Sequence, residues 1–389
     1  MPCHKFTYKN ESDWKSINNW LSKRQEPDMS VENPVRDILE QVRQNKDQAL
    51  LDYTRKFDCP NYSLSNLKVS ARQVEEAYEQ IPQKDLDIIT EAADNIWVFH
   101  KQQLANSWFS AAEDGTVLGQ MVRPVDRAGL YVPGGQGGET PLISSLLMNA
   151  IPALVAGVKS ISLVSPPNKD CSLNPYILAT AKILGLENIY TIGSAWSIAA
   201  LAFGTESIPA VDVIAGPGNI FVTTAKRLLV GRVGIDMIAG PSEIAILADE
   251  SANPDWLAAD LLSQSEHDAL ASAILISPQE RLLEEVGQSL QNQLAKLPRS
   301  DIAQKSLKDW GALIQVPDLE RGLELVNKIA PEHFEICVDN PWAYVGKIRN
   351  AGAVFMGHGA AEPIGDYFAG PNHVLPTIGT ARFSSALSV

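Results

Sequence analysis

The stretch Arg127-Ala128-Gly129-Leu130-Tyr131-Val132-Pro133-Gly134-Gly135-Gln136-Gly137-Gly138 decides how the chain is read. Its first part, 128–132, has the length and apolar composition of a buried strand. The strand runs into a glycine-rich turn, and the apolar pattern resumes over 141–157 as a helix with Pro152 inside it. Strand, glycine turn and helix are the opening of a βαβ unit. The rhythm then repeats, with strands over 160–165, 188–192 and 211–214 and helices over 175–184, 195–203 and 219–230. A second series follows Gly240-Pro241-Ser242. Its strands lie over 243–248, 273–277, 312–316, 334–338 and 353–355, and its helices over 254–266, 279–297 and 319–329. Two doubly wound, largely parallel sheets, joined near 127–130 and 240–243, are the simplest architecture. Ligands of such sheets sit beyond the carboxyl ends of the strands.

Upstream of Arg127 the chain is mostly helical. Val35, Ile38, Leu39, Val42, Leu50 and Leu51 recur at helical spacing, and two more helices cover 70–81 and 85–104. Residues 1–32 read as an N-terminal extension. With 389 residues, 45% hydrophobic and 20% charged, the chain has the composition of a soluble protein of two or three packed units. A net charge of −14 without any Lys/Arg run excludes a nucleic-acid surface. No apolar stretch spans a membrane and no signal peptide opens the chain. Cys3, Cys59, Cys171 and Cys337 are scattered without a C-x-x-C pair, which reads as the reduced pattern of a cytoplasmic protein.

Several short constellations can carry chemistry. Glycines in the turn 131–138 allow close backbone approach, and the following helix N-terminus favours an anion, although such turns also occur without ligands. In Gly216-Pro217-Gly218-Asn219, Asn219 is either a ligand contact or a helix N-cap. In Leu261-Leu262-Ser263-Gln264-Ser265-Glu266-His267-Asp268, Gln264 and His267 are three apart at a helix end, where an amide oxygen and an imidazole can hold a divalent metal or simply face solvent. Pro331-Glu332-His333 pairs a carboxylate with an imidazole, as an acid–base couple or as a structural pair. Gly365-Asp366-Tyr367-Phe368-Ala369-Gly370-Pro371-Asn372-His373 adds a carboxylate, as a metal ligand or an Asx-turn, and another imidazole. Cys337 lies mid-strand, and Cys59 and Cys171 have no histidine nearby, so a nucleophilic thiol is not supported.

From Pro34 to the C-terminus the chain closely resembles histidinol dehydrogenases. The likeness is carried in order by 129–135, 199–206, 216–219, 236–243, 261–267, 331–333 and 365–376. It implies two incomplete Rossmann sheets of aldehyde-dehydrogenase-like type. One domain would comprise 33–129 plus 243–380, on the metal and substrate side, and the other 130–242, on the cofactor side. It also implies a homodimeric, zinc-dependent, NAD-linked oxidoreductase of histidine biosynthesis, oxidising L-histidinol through L-histidinal to L-histidine. Gln264, His267 and Asp366 then match zinc ligands, His333 the general base and Glu332 the residue that activates water. Ser242 and His373 would meet the amino alcohol, as would Gln264, His267, His333 and Asp366 through the metal centre. Tyr131 and Asn219 would meet NAD.

Two departures stand out. The family has Gly-Gly-Ala-Gln at a cofactor loop where this chain reads Gly193-Ser194-Ala195-Trp196, so that Trp196 would stack on a cofactor ring instead of offering an amide. Family members also continue into a helical tail that brings a glutamate and a further zinc-binding histidine, whereas residues 381–389 here read as only its start. On that reading zinc binding, turnover and the dimer would all be weakened. The alternatives are a relative acting on another small alcohol, or a ligand-binding remnant without activity.

Overall fold

The computed structural model describes residues 3–24, 29–135 and 141–389. Its strands, in chain order, are β1 (His4–Thr7), β2 (Trp108–Ala111), β3 (Val117–Gln120), β4 (Arg127–Tyr131), β5 (Ser160–Val164), β6 (Asn188–Tyr190), β7 (Val213–Ala215), β8 (Gly234–Ile235), β9 (Glu243–Ala248), β10 (Ser272–Ser277), β11 (Gly311–Gln315), β12 (His333–Cys337) and β13 (Ala353–Met356). They form a six-stranded sheet in the order β1-β11-β10-β9-β12-β13 and a five-stranded sheet in the order β6-β5-β4-β7-β8, with β2-β3 as a separate pair. Every pairing within the two large sheets is parallel. The doubly wound α/β class expected from the alternating pattern is therefore present.

Parallel strands covered by helices on both faces are buried along their whole length, which is why they read as unbroken apolar runs. All residues of β9, β10 and β12 are buried. The polar exceptions in β12, His333 and Glu335, stand out for that reason.

The chain divides into two compact units. One comprises Met1–Pro27, Ala239–Gly365 and Leu375–Ala386, and the other Asp28–Ile238, Asp366–Val374 and Leu387–Val389. The grouping of the N-terminal helices thus differs from the sequence reading, which put 33–129 with the second series. Tertiary packing decides it. The helix Met29–Phe57 lays Val35, Leu39, Val42 and Leu50 against Ile198, Leu201 and their neighbours in the core of the five-stranded unit. The N-terminal extension, expected to pack on another element, does so through β1, which pairs with β11 from His4↔Ala312 to Thr7↔Gln315. The expected helix over 279–297 is Glu280–Leu294, and a further helix that the pattern did not mark, Ser300–Trp310, follows it. Among the described residues no helix is long and apolar enough to cross a membrane.

The cysteine reading needs correction. Cys59 and Cys171 form a disulfide across a separation of 112 residues, with Cα atoms 5.8 Å apart. Such a separation leaves no local signature, and the pairing removes cysteine spacing as an argument for a reducing compartment. Cys3 and Cys337 carry free thiols, both pushed up by burial, Cys3 to about 12.

Beside the disulfide, the buried Oδ2 of Asp58 has no hydrogen-bond partner among the described residues, and burial pushes this carboxyl up to about 6. A raised carboxyl binds its proton more tightly in the folded chain. Its stabilising contribution is therefore full below the unfolded value and is lost as the pH rises through about 6. Asp58→Asn is expected to stabilise the protein by about 1 kcal/mol at pH 7, a figure discounted for partial exposure, and to change little at pH 4. Urea unfolding at both pH values measures this. An equal effect at the two would contradict it.

Candidate functional site

The reactive groups of the six-stranded unit gather at the amino ends of β9 and β12. This differs from the expected position beyond the carboxyl ends, and the reason is how the groups arrive. Glu243 is the first residue of β9, His333 is the first of β12 with Glu332 just before it, and Gln264 lies in the last turn of the returning helix Pro254–Ser265.

Glu243 organises the group through its backbone. Its N–H donates to Glu332 Oε2 at 3.0 Å, and its carbonyl lies 3.1 Å from His333 Nδ1. Gln264 Oε1 lies 2.8 Å from the same nitrogen. A peptide carbonyl only accepts, so His333 Nδ1 must carry the proton and the Gln264 atom beside it must be the oxygen. The basic lone pair of His333 is thereby fixed on Nε2, as a general base or a metal ligand requires.

His333, Glu362 and Asp366 bring one ligand atom each to within 4.8 Å of one another. Glu362 and Asp366 are four apart, on the short helix Glu362–Ile364 and the wide π-type turn Gly365–Ala369 that follows. The backbone N–H of Glu362 donates to Glu335 Oε1 at 3.1 Å. Glu335 shares a face of β12 with His333, and its carboxyl hydrogen-bonds Asp260, one helical turn before Gln264. Helix and strand are thus tied by two rungs, Asp260 with Glu335 and Gln264 with His333. Burial and then the Asp260 charge push Glu335 up to about 9, and burial raises Asp260 as well.

The expected metal set is regrouped. Asp366 and Gln264 are at the cluster or one hydrogen bond from it, whereas His267 is exposed in the turn beyond the helix, with Nη2 of Arg299 at 3.4 Å from its carbonyl. The shared last helical turn expected for Gln264 and His267 is absent, because the helix ends at Ser265. Ser242 precedes β9, its carbonyl accepting from Ser272 N–H and from Arg24. His373 belongs to the segment grouped with the five-stranded unit, where its ring stands edge-on to Tyr367. Glu362 was missed by the sequence reading, although its spacing of four before Asp366 was a usable signal.

In the five-stranded unit the expected cofactor residues lie at the carboxyl ends of strands. Tyr131 ends β4, and its hydroxyl is hydrogen-bonded to the Ser194 backbone and pushed up by burial to about 12. Gly134 and Gly135 follow, while Gln136, Gly137 and Gly138 lie outside the described residues. Asn219 is an N-cap. Its Oδ1 accepts from Phe221 N–H at 3.0 Å and Val222 N–H at 3.2 Å, which leaves the Nδ2 of this exposed side chain as the group available to a ligand.

Trp196 does not point at a ligand. It is 3% exposed, its indole N–H donates to Thr54 Oγ1 at 3.2 Å, and its ring stacks with Tyr53 and Phe57, each at 5.7 Å. The stacking expected on a cofactor ring is satisfied inside the protein.

Fold and site together define a doubly wound α/β protein with a buried imidazole–carboxylate centre. The family model for histidinol dehydrogenase matches residues 21–389. Histidinol dehydrogenases of Oleidesulfovibrio alaskensis and Nitratidesulfovibrio vulgaris are 60% and 59% identical over 389 residues, all of this chain and 90% and 89% of theirs. The crystal structure of histidinol dehydrogenase from Elizabethkingia anophelis superposes with a TM-score of 0.92 at 38% identity, covering 100% of this chain and 88% of that one. The chain belongs to the histidinol dehydrogenase family and is an oxidoreductase.

Proposed function

We propose that the protein oxidises L-histidinol in two steps, through L-histidinal to L-histidine, with NAD as hydride acceptor and a zinc ion at the imidazole–carboxylate centre. The observation that carries this reading is His333, with Nδ1 locked by the Glu243 carbonyl and Gln264 and its lone pair on Nε2, clustered with Glu362 and Asp366. Imidazole nitrogen, carboxylates and a carboxamide oxygen are donors that suit zinc. Asp366, Gln264 and His267 would hold the ion, with Glu362 as a further carboxylate in reach. When bound, it would chelate the amino alcohol and stabilise the developing alkoxide.

His333 takes the hydroxyl proton as hydride leaves for NAD. The Glu243 carbonyl and the Gln264 amide stabilise the imidazolium that results, since both accept from Nδ1. Ser242 and His373 orient the amino alcohol, and Tyr131 and Asn219 the cofactor. For the second oxidation the aldehyde is hydrated, and Glu332, held as an acceptor by the Glu243 N–H, takes the water proton. The thiols of Cys3 and Cys337 are held protonated by burial, and Cys59 and Cys171 are bonded to each other, which supports the hydrate over a thioester. A dimer of two such chains is part of the proposal.

Purified protein supplied with L-histidinol and NAD is expected to release two equivalents of NADH for each L-histidine formed. Chelator treatment is expected to abolish this and zinc to restore it. Another alcohol preferred over histidinol, or dinucleotide binding with no NADH under any condition, would overturn the reading.

A further inference from the structure

A buried ion pair in the five-stranded unit has no part in the chemistry above. Lys226 projects from the helix Ile220–Leu229 and Asp236 follows β8, and their side chains are 3% and 1% exposed. A buried pair of this kind is retained at a desolvation cost, and apolar residues of similar volume are often as stable. Its hydrogen bonds show what it holds. Lys226 Nζ donates to the Gly216 carbonyl at 2.9 Å, while Asp236 Oδ2 accepts from the Gly216 N–H at 2.8 Å. The remaining oxygen of Asp236 accepts from Met237 N–H at 2.6 Å. Both sides of one glycine are therefore gripped by the two halves of one ion pair.

Gly216 sits where that grip matters. Its φ is +130°, and a Cβ built on it would lie 2.0 Å from the Tyr131 carbonyl oxygen. The turn it opens leads within three residues to Asn219 at the helix N-terminus. Gly216 thus sets the backbone of Tyr131 against the turn that delivers Asn219.

We propose that Lys226 and Asp236 are positioning residues for the dinucleotide, acting through Gly216 on the Tyr131 and Asn219 contacts. The proposal rests on the assignment of those two residues to the cofactor. The pair specifies one conformation of the turn, with Gly216 at an uncommon φ, that apolar packing alone would leave free to relax.

Steady-state kinetics of the full chain, with NAD and L-histidinol varied separately, test this on Lys226→Met, Asp236→Asn and Asn219→Ala. Losing charge-assisted hydrogen bonds to the turn should raise the KM for NAD by about tenfold or more in both ion-pair variants. The kcat at saturating NAD should stay within about twofold and the KM for histidinol should not change. A melting temperature that falls while the KM for NAD stays at the wild-type value would overturn the proposal and leave the pair a structural one. If Lys226→Met does not fold, the isosteric Asp236→Asn decides by the same split. If Asn219→Ala also leaves the KM for NAD unchanged, the cofactor assignment itself fails. An Asn219→Ala effect without an ion-pair effect overturns only the positioning role.

Discussion

His333→Asn is expected to lower kcat by about 10³-fold for the first oxidation, within the range general acid–base catalysis supplies. Asparagine retains a polar group near the Glu243 carbonyl and Gln264 but has no nitrogen lone pair to take the place of Nε2. The fold should survive, since His333 begins β12 and its backbone pairing with Ile244 and Ala353 does not depend on the side chain. Wild-type activity should fall at acidic pH as the imidazole is protonated, whereas the residual activity of the variant should lose that limb. A variant retaining more than about a tenth of wild-type turnover would remove His333 as the base.

The second large effect is on stability. Arg24 and Glu243 form a salt bridge at 2.7 Å, with side chains 1% and 8% exposed. The same guanidinium donates to the carbonyls of Leu270 at 3.0 Å, Pro241 at 3.3 Å and Ser242 at 3.2 Å. Burial raises the Glu243 carboxyl and Arg24 opposes that rise. Arg24→Met removes the opposing charge and leaves a buried carboxylate with several unsatisfied carbonyls. A loss of about 3–5 kcal/mol in urea unfolding is expected at neutral pH. Arg24→Met combined with Glu243→Met should recover a good part of that loss, because no buried charge is then stranded. A single variant within about 1 kcal/mol of wild type would show that water reaches the pair. Activity should fall with stability, since the Glu243 backbone holds both Glu332 and His333.

Apart from β1 and the two-residue β8, the strands of the two large sheets were legible because covered parallel strands read as unbroken apolar runs, and Glu243–Ala248 and Leu319–Ile329 lie where the pattern puts them. Features that depend on distant pairing were not. β1 is a four-residue edge strand whose partner β11 lies at the other end of the chain. The exposed pair β2 and β3 lies in a region that reads as helical. Trp196 was read from its neighbours in sequence, while its real neighbours, Tyr53, Thr54 and Phe57, come from another helix. Within the site, Glu332, His333, Gln264 and Asp366 stood out as polar residues in telling contexts. Asp260 and Glu335 were hidden because each has its partner on another element, while Glu362 was marked only by its spacing of four before Asp366.

The placement of the six-stranded unit's reactive groups at the amino ends of β9 and β12 has an electrostatic meaning. Strand beginnings in a parallel sheet lie where the covering helices finish. The helix Pro254–Ser265 delivers Gln264 from its last turn, and Leu319–Ile329 ends just before Glu332 and His333. A helix C-terminus carries the negative end of its dipole, equivalent to roughly half an elementary charge. Carboxylates set there are already in a field that disfavours anions, and a bound cation relieves both. At Asn219 the reverse holds, since the helix Ile220–Leu229 presents its positive end to whatever lies before it. The same α/β grammar, read from opposite ends of its helices, would favour a cation beside Gln264 and His333 and an anion before Asn219, as the proposed zinc and NAD require.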